Sequence, residues 1–252
     1  MRHTHHVELE ERSCNVGGRA VRYHTVGTGP PALLVHGLAG SWRWWRPVAE
    51  PLASRHRLYL VDLPGFGSAR GQQFVLRDTP TFLRALIEQL GLERPHLVGH
   101  SLGGAICARA AALWPDSIGR LVLAAPACVL ERRRLENYAL PLLAAARQLR
   151  PSFLHTVATD SLRAGVVTLY RAATQILADD ALRDELAAIV VPTLLLWGDR
   201  DPLIPLRLAQ QYELALAQSR LVVLAGAGHV PMNDRPAQFA QAVLEFLAGP
   251  AR

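Results

Sequence analysis

Short, continuously apolar runs alternate with helix-forming segments along most of the chain, and that alternation constrains the fold more than any other feature. The runs are Ala32–Val35, Leu58–Val61, His96–Val98, Leu121–Ala124, Val191–Trp197 and Leu221–Leu224. Strands exposed on one face alternate apolar and polar residues, whereas unbroken apolar strands are buried on both faces. Between them lie helical segments at Trp42–Ser54, Ala105–Leu113, Leu206–Ala217 and Pro236–Leu247. Another helix opens at Thr79-Pro80, read as N-cap plus first-turn proline. It carries Phe82, Leu83, Leu86, Ile87 and Leu90 on one face and stops at Gly91. Upstream, Val7–Cys14 and Ala20–Val26 alternate as a hairpin about the turn Asn15–Gly18. The pattern predicts an α/β fold: a doubly wound, mostly parallel eight-stranded sheet with helices on both faces.

The alternation lapses between Pro126 and Ala188, where the sequence reads as helical with breaks near Pro151, Gly165 and Asp179-Asp180. A stretch of about 60 residues is too long for an ordinary loop. It is expected to be an inserted helical cap, residues 126–188, on a core domain formed by residues 1–125 and 189–252. At 252 residues, half of them hydrophobic and 19% charged, the chain is long enough for one large core. No apolar run approaches the roughly 20 residues of a membrane span, and the polar start, Met1–Glu11, lacks the apolar segment of a secretory signal. The expectation is a cytoplasmic protein.

The net charge of +6 does not mark a nucleic-acid surface. Every basic residue other than histidine is arginine, and acids are scattered among them. The absence of lysine excludes Schiff-base chemistry. Cys14, Cys107 and Cys128 have no C-x-x-C spacing and read as reduced, mostly packed thiols.

Chemistry concentrates at Gly99-His100-Ser101-Leu102-Gly103, which sits between an apolar strand and a helix. A serine at a sharp strand-to-helix corner needs minimal neighbours two residues either side, here Gly99 and Gly103. Its hydroxyl then projects clear of the sheet above a helix N-terminus. A serine nucleophile needs a base, and the base needs an acid to fix its tautomer. The candidate base is His229, in Gly226-Ala227-Gly228-His229 after the last strand. The candidate acid lies in Gly198-Asp199-Arg200-Asp201, also just beyond a strand. Attack on an acyl carbon needs two backbone donors for the oxyanion, and the N–H of Leu102, next to the nucleophile, is one.

The sequence resembles the α/β-hydrolase fold superfamily, in its cap-bearing branch of small serine hydrolases. The matching pieces are His36-Gly37, Asp62-Leu63-Pro64-Gly65-Phe66-Gly67, Gly99–Gly104, Gly198-Asp199-Arg200-Asp201 and Gly228-His229, with Asp234 and Pro236 behind. The order Ser101, Asp201, His229 is that of the family's triad. The resemblance assigns the acid to Asp201, three residues after the glycine, and leaves Asp199 as a turn former. No carboxylate stands at Ala125-Pro126, where some relatives place the acid. It implies Leu38 N–H as the second oxyanion donor and His36 as a loop-structuring residue. The implied activity is a carboxylesterase acting on a small-molecule ester of short to medium acyl chain, with no metal or organic cofactor and no nucleic-acid partner. Whether the protein is a monomer or a dimer stays open.

Trp42, Trp44 and Trp45 follow the oxyanion loop, and one of them, Trp42 first, is a candidate for the substrate pocket. His100 is a candidate for its rim. Tyr138 is another candidate, among the insertion's apolar residues Leu135, Leu140, Leu142, Leu143, Phe153 and Leu154. His3, His5 and His6 read as a tail rather than a metal site, and Arg132, Arg133 and Arg134 as a solvated face or hinge. Other chemistries on the same scaffold stay open: a carbon–carbon hydrolase, a lyase resembling the menaquinone-pathway synthase with cap arginines holding an anionic substrate, or a ligand receptor without turnover. Haloalkane dehalogenases and epoxide hydrolases, which resemble the fold, use an aspartate where Ser101 stands.

Overall fold

A computed structural model describes residues 8–128, 134–179 and 184–249. The expectations for Val7, the three N-terminal histidines, Arg132 and Arg133 lie outside these residues. Eight strands form one sheet: β1 (Glu10–Val16), β2 (Arg19–Val26), β3 (Pro31–Val35), β4 (Arg57–Val61), β5 (His96–His100), β6 (Leu121–Ala124), β7 (Thr193–Gly198) and β8 (Ser219–Leu224). Their order is β1-β2-β4-β3-β5-β6-β7-β8. β2 runs antiparallel to β1 and β4, and every other pairing is parallel. The opening hairpin turns on Gly17 and Gly18 alone, with φ of 56° and 81°. Positive φ at both central residues is what a two-residue turn of matching twist requires.

Period-two alternation divides the central strands between two cores. Leu33, Val35, Leu121, Leu123, Leu195 and Trp197 face one side. Ala32, Leu34, Val122, Ala124, Leu194 and Leu196 face the other. The first side is covered by α2 (Thr79–Gln89), α3 (Leu102–Leu113) and α7 (Ala209–Ala215), the second by α1 (Arg46–Ala53) and α9 (Pro236–Leu247). The short α8 (Pro231–Asp234) precedes α9.

Two helix boundaries differ instructively from the sequence reading. Asp78, not Thr79, is the N-cap of α2, because a 3-10 turn at Leu76–Asp78 leads into the helix. The Thr79 hydroxyl donates instead to the Leu76 carbonyl at 2.6 Å. The segment expected as one helix from Trp42 begins as a 3-10 turn, Trp42–Trp45, which changes the direction of its tryptophans. The stop at Gly91 holds. Gly91 has φ 61°, and Leu92 and Gly91 donate to Ile87 and Glu88 at 3.1 and 3.0 Å, a Schellman closure.

Between β6 and β7 the described residues form α4 (Ala139–Gln148), α5 (Pro151–Ala164) and α6 (Val166–Leu177). Ala127 and Cys128 still pack in the core, and Cys128 N–H donates to the Tyr212 hydroxyl at 3.0 Å. Core packing thus extends to Cys128, three residues past Ala125, the expected end of the first core segment. No helix among the described residues is long and apolar enough to cross a membrane.

Candidate active site

The parallel strands end level with one another, so the loops after β3, β5, β7 and β8 share one edge of the sheet. Ligand sites of open α/β sheets form at that carboxyl edge. Ser101 stands between β5 and α3 with φ 49° and ψ −114°, a conformation that L residues rarely hold. A Cβ at Gly99 would lie 2.5 Å from the Gly103 carbonyl oxygen, and one at Gly103 would strike the Val35 and His36 carbonyls. Both glycines are thus required by backbone approach. The corner is pinned by hydrogen bonds from Ser101 N–H to Ala124 (2.9 Å) and from Ala127 N–H to Ser101 (3.0 Å).

The structure brings Ser101, His229 and Asp201 together. Ser101 Oγ lies 3.1 Å from His229 Nε2, and His229 Nδ1 lies 2.8 Å from Asp201 Oδ2. With Asp201 accepting, Nδ1 carries the proton and Nε2 is free to accept from the hydroxyl. Asp201 Oδ1 accepts from the N–H groups of Leu203 (2.8 Å) and Ile204 (3.0 Å), so both carboxylate oxygens are held. Asp199 points elsewhere and accepts from Gly226 N–H at 2.7 Å, tying the two loops together. Asp234 accepts from Gly228 N–H at 2.8 Å, and its own burial raises its pKa. A Cβ at Gly198 would strike the Ala227 and Gly228 carbonyls, so the acid-bearing and histidine-bearing loops touch main chain to main chain.

Leu102 is the first residue of α3, where helix N–H groups have no intrahelical acceptor. Gly37 packs against His100 and Ser101: a Cβ there would be 2.7 Å from His100 Nδ1 and 3.2 Å from the serine Cβ. His36 is fully buried. Its Nε2 accepts from Leu63 N–H at 3.1 Å and its Nδ1–H donates to the Gly37 carbonyl at 2.8 Å, while burial lowers its pKa.

His100 is not on a rim. It is buried beneath His229, with ring centroids 5.0 Å apart, and its Nε2–H donates to the His229 carbonyl at 2.8 Å. Burial, then the neighbouring His229, holds its pKa well below the ordinary value. Trp42 stacks on His24 at 3.7 Å and lines a groove whose residues include none of the three triad side chains. Trp44 is the tryptophan that reaches the site, 5.8 Å from His100 and 5.3 Å from Phe153 of α5. Tyr138 is buried where the turn before α4 meets α6. Arg134 is exposed, 3.8 Å from Glu136.

Several contacts of the helices between β6 and β7 with the core escaped the sequence reading, three of them near the site. Gln148 of α4 donates to the Arg200 carbonyl at 3.2 Å. Arg150 donates to the Asp234 carbonyl at 3.4 Å. Asp160 of α5, fully buried, accepts from the Ser41 hydroxyl at 2.8 Å and pairs with Arg43. One signal was visible: Asp160 is the only acid between Ala139 and Ala178.

A doubly wound sheet with a serine, a histidine and an aspartate gathered at its carboxyl edge is a hydrolase architecture. Residues 32–242 match the alpha/beta hydrolase family, and the chain belongs to that family and is a hydrolase. It is 30% identical over 253 residues to the pimeloyl-[acyl-carrier protein] methyl ester esterase of Aeromonas hydrophila, covering 90% of this chain and 99% of that one. Among solved structures it superposes on a bacterial membrane phospholipase A with TM-score 0.81 and 28% identity, covering 95% of this chain and 86% of the other. It also superposes on an alpha/beta hydrolase fold protein from Burkholderia ambifaria with TM-score 0.78 and 27% identity, covering 95% and 100%.

Proposed function

We infer that the protein is a serine carboxylesterase working through an acyl-enzyme. The observation that carries this reading is the continuous relay Ser101–His229–Asp201, with contacts of 3.1 and 2.8 Å. His229 Nε2 takes the Ser101 proton as Oγ attacks the ester carbonyl. Asp201 holds the imidazole and stabilises the imidazolium. The Leu38 and Leu102 N–H groups receive the oxyanion. His229 then protonates the departing alcohol, and a water activated by the same histidine releases the acid. Helices α4–α6 act as a cap over this edge. Their Phe153, with Trp44 and His100 beneath it, supplies an apolar wall for a short or medium acyl chain. The methyl ester esterase named among the relatives supports an ester substrate.

Hydrolysis of p-nitrophenyl esters from acetate to palmitate, by wild type and Ser101→Ala, tests the reading. A maximum at one chain length, with loss of at least about 10⁴-fold in the variant, is expected. No Ser101-dependent turnover on any chain would overturn it.

A further inference from the structure

Helices α5 and α6 meet at Gly165 (φ 78°), and their junction projects large apolar side chains into solvent. Leu162 is 84% exposed, Val166 82%, Val167 63% and Tyr170 59%. On the core, exposed large apolar residues stand apart at Leu113, Val190, Leu214 and Val223. Scattered residues of that kind are ordinary, whereas a cluster at a convex tip marks a contact surface.

The charge along α4–α6 has one sign on the surface. From Ala139 to Ala178 there are four arginines, and the single acid, Asp160, is buried against Ser41 and Arg43. Beside the tip lies a groove of about 720 Å³ lined by Arg22, Arg70 and Arg163, with Trp42 in its wall. The loop bearing Arg70 packs on the helices: α5 contacts Gly67–Ala69, and a Cβ at Gly65 would be 3.1 Å from Thr168 Cγ2. The groove's two carboxylates are already occupied. Asp62 accepts from the N–H groups of Trp42 and Ser68 at 2.7 Å each, and Asp160 is held as above. Among the described residues, Arg22 has only Glu11 as an ion-pair partner, 3.8 Å away and exposed.

We propose that the α5–α6 tip and the adjoining arginine groove dock the protein on an anionic phospholipid surface. The aliphatic side chains enter the boundary between headgroups and acyl chains while Arg22, Arg70 and Arg163 meet lipid phosphates. A bilayer suits the cluster because aliphatic Leu162, Val166 and Val167 adjoin Tyr170, whose amphipathic ring fits the headgroup level, and arginines that match lipid phosphates. The surface is separate from Ser101, and its occupancy does not depend on the esterase reading.

Flotation with vesicles of phosphatidylcholine, with and without phosphatidylglycerol, tests the proposal on the full chain. The wild type is expected to float with the anionic vesicles, weakly with the neutral ones, and less as salt rises. Leu162→Ser with Val166→Ser should lower the partition about tenfold or more. Arg70→Ala and Arg163→Ala should each lower it about fivefold. Thermal melts matching the wild type show that the variants fold. Failure of the wild type to bind anionic vesicles, or equal binding by correctly folded variants, would overturn the proposal. Retention on polyglutamate without flotation would overturn it in favour of an acidic protein partner.

Discussion

His96 should make the fold acid-sensitive, by an amount that follows from its surroundings. It opens β5 with its ring against His56, centroids 5.7 Å apart, and its Nδ1 is buried without a hydrogen-bond partner. Burial first, then His56 and Arg120, lowers its pKa to about 4. Both neighbours repel an added proton, and burial lowers the His56 pKa as well. Above the unfolded value of 6.5 neither state carries the proton, so the group contributes no pH dependence there. As pH falls below 6.5 the unfolded chain gains a proton that the folded chain refuses until about pH 4, and stability is lost across that window. At about 1.4 kcal/mol per tenfold, the full loss is about 3 kcal/mol, and about 2 kcal/mol is gone by about pH 5. The ring is partly exposed, so these are upper figures. Urea denaturation at about pH 7.5 and about pH 5 measures the effect, with His96→Gln removing the titration. The variant should lose roughly 1–2 kcal/mol less than the wild type between the two conditions. Parallel losses, equal to within about 0.5 kcal/mol, would refute the argument.

Asp160→Ala leaves Arg43 and Ser41 facing a vacated buried site; the expected cost is about 3 kcal/mol, read as a lowered urea midpoint, and an unchanged midpoint would show that the pair contributes nothing. His100→Phe keeps bulk beneath His229 but removes the donor to its carbonyl. It should lower kcat roughly tenfold with little change in KM, while His100→Gln, which can donate, recovers most of the loss. Gly91→Ala puts a Cβ into open space but at φ 61°, so the penalty is conformational only, about 1 kcal/mol in a denaturant titration.

Much of this was legible in the chain because it is written in local terms. Continuous apolar runs report burial on both faces, and the observed β3, β4 and β6 match those runs nearly residue for residue. The edge was less legible: β8 is half-exposed and begins at Ser219, before its apolar run does. His229 and the stretch Gly198–Asp201 were singled out by their place after strands, a topological regularity, while the choice of Asp201 over Asp199 came from the family resemblance. His100 and Trp44 were not assigned their places, because those depend on contacts 129 residues apart and on a 3-10 turn that rotates the tryptophans. Asp160 stands out locally as the lone acid of its stretch, but its partner Ser41 lies 119 residues away and nothing local points to it.

The loops bearing Ser101, Asp201 and His229 are fitted to the core through main-chain approaches at Gly99, Gly103 and Gly198, whereas the helices between β6 and β7 attach through side chains, among them Gln148, Arg150, Phe153, Asp160, Ala172 and Gln175. On the proposed reading, reactivity and selectivity sit on separate parts. Under that proposal, a chain of this design would exchange its roof, helix by helix, and acquire a new diet while the machinery below went on cutting in the same way.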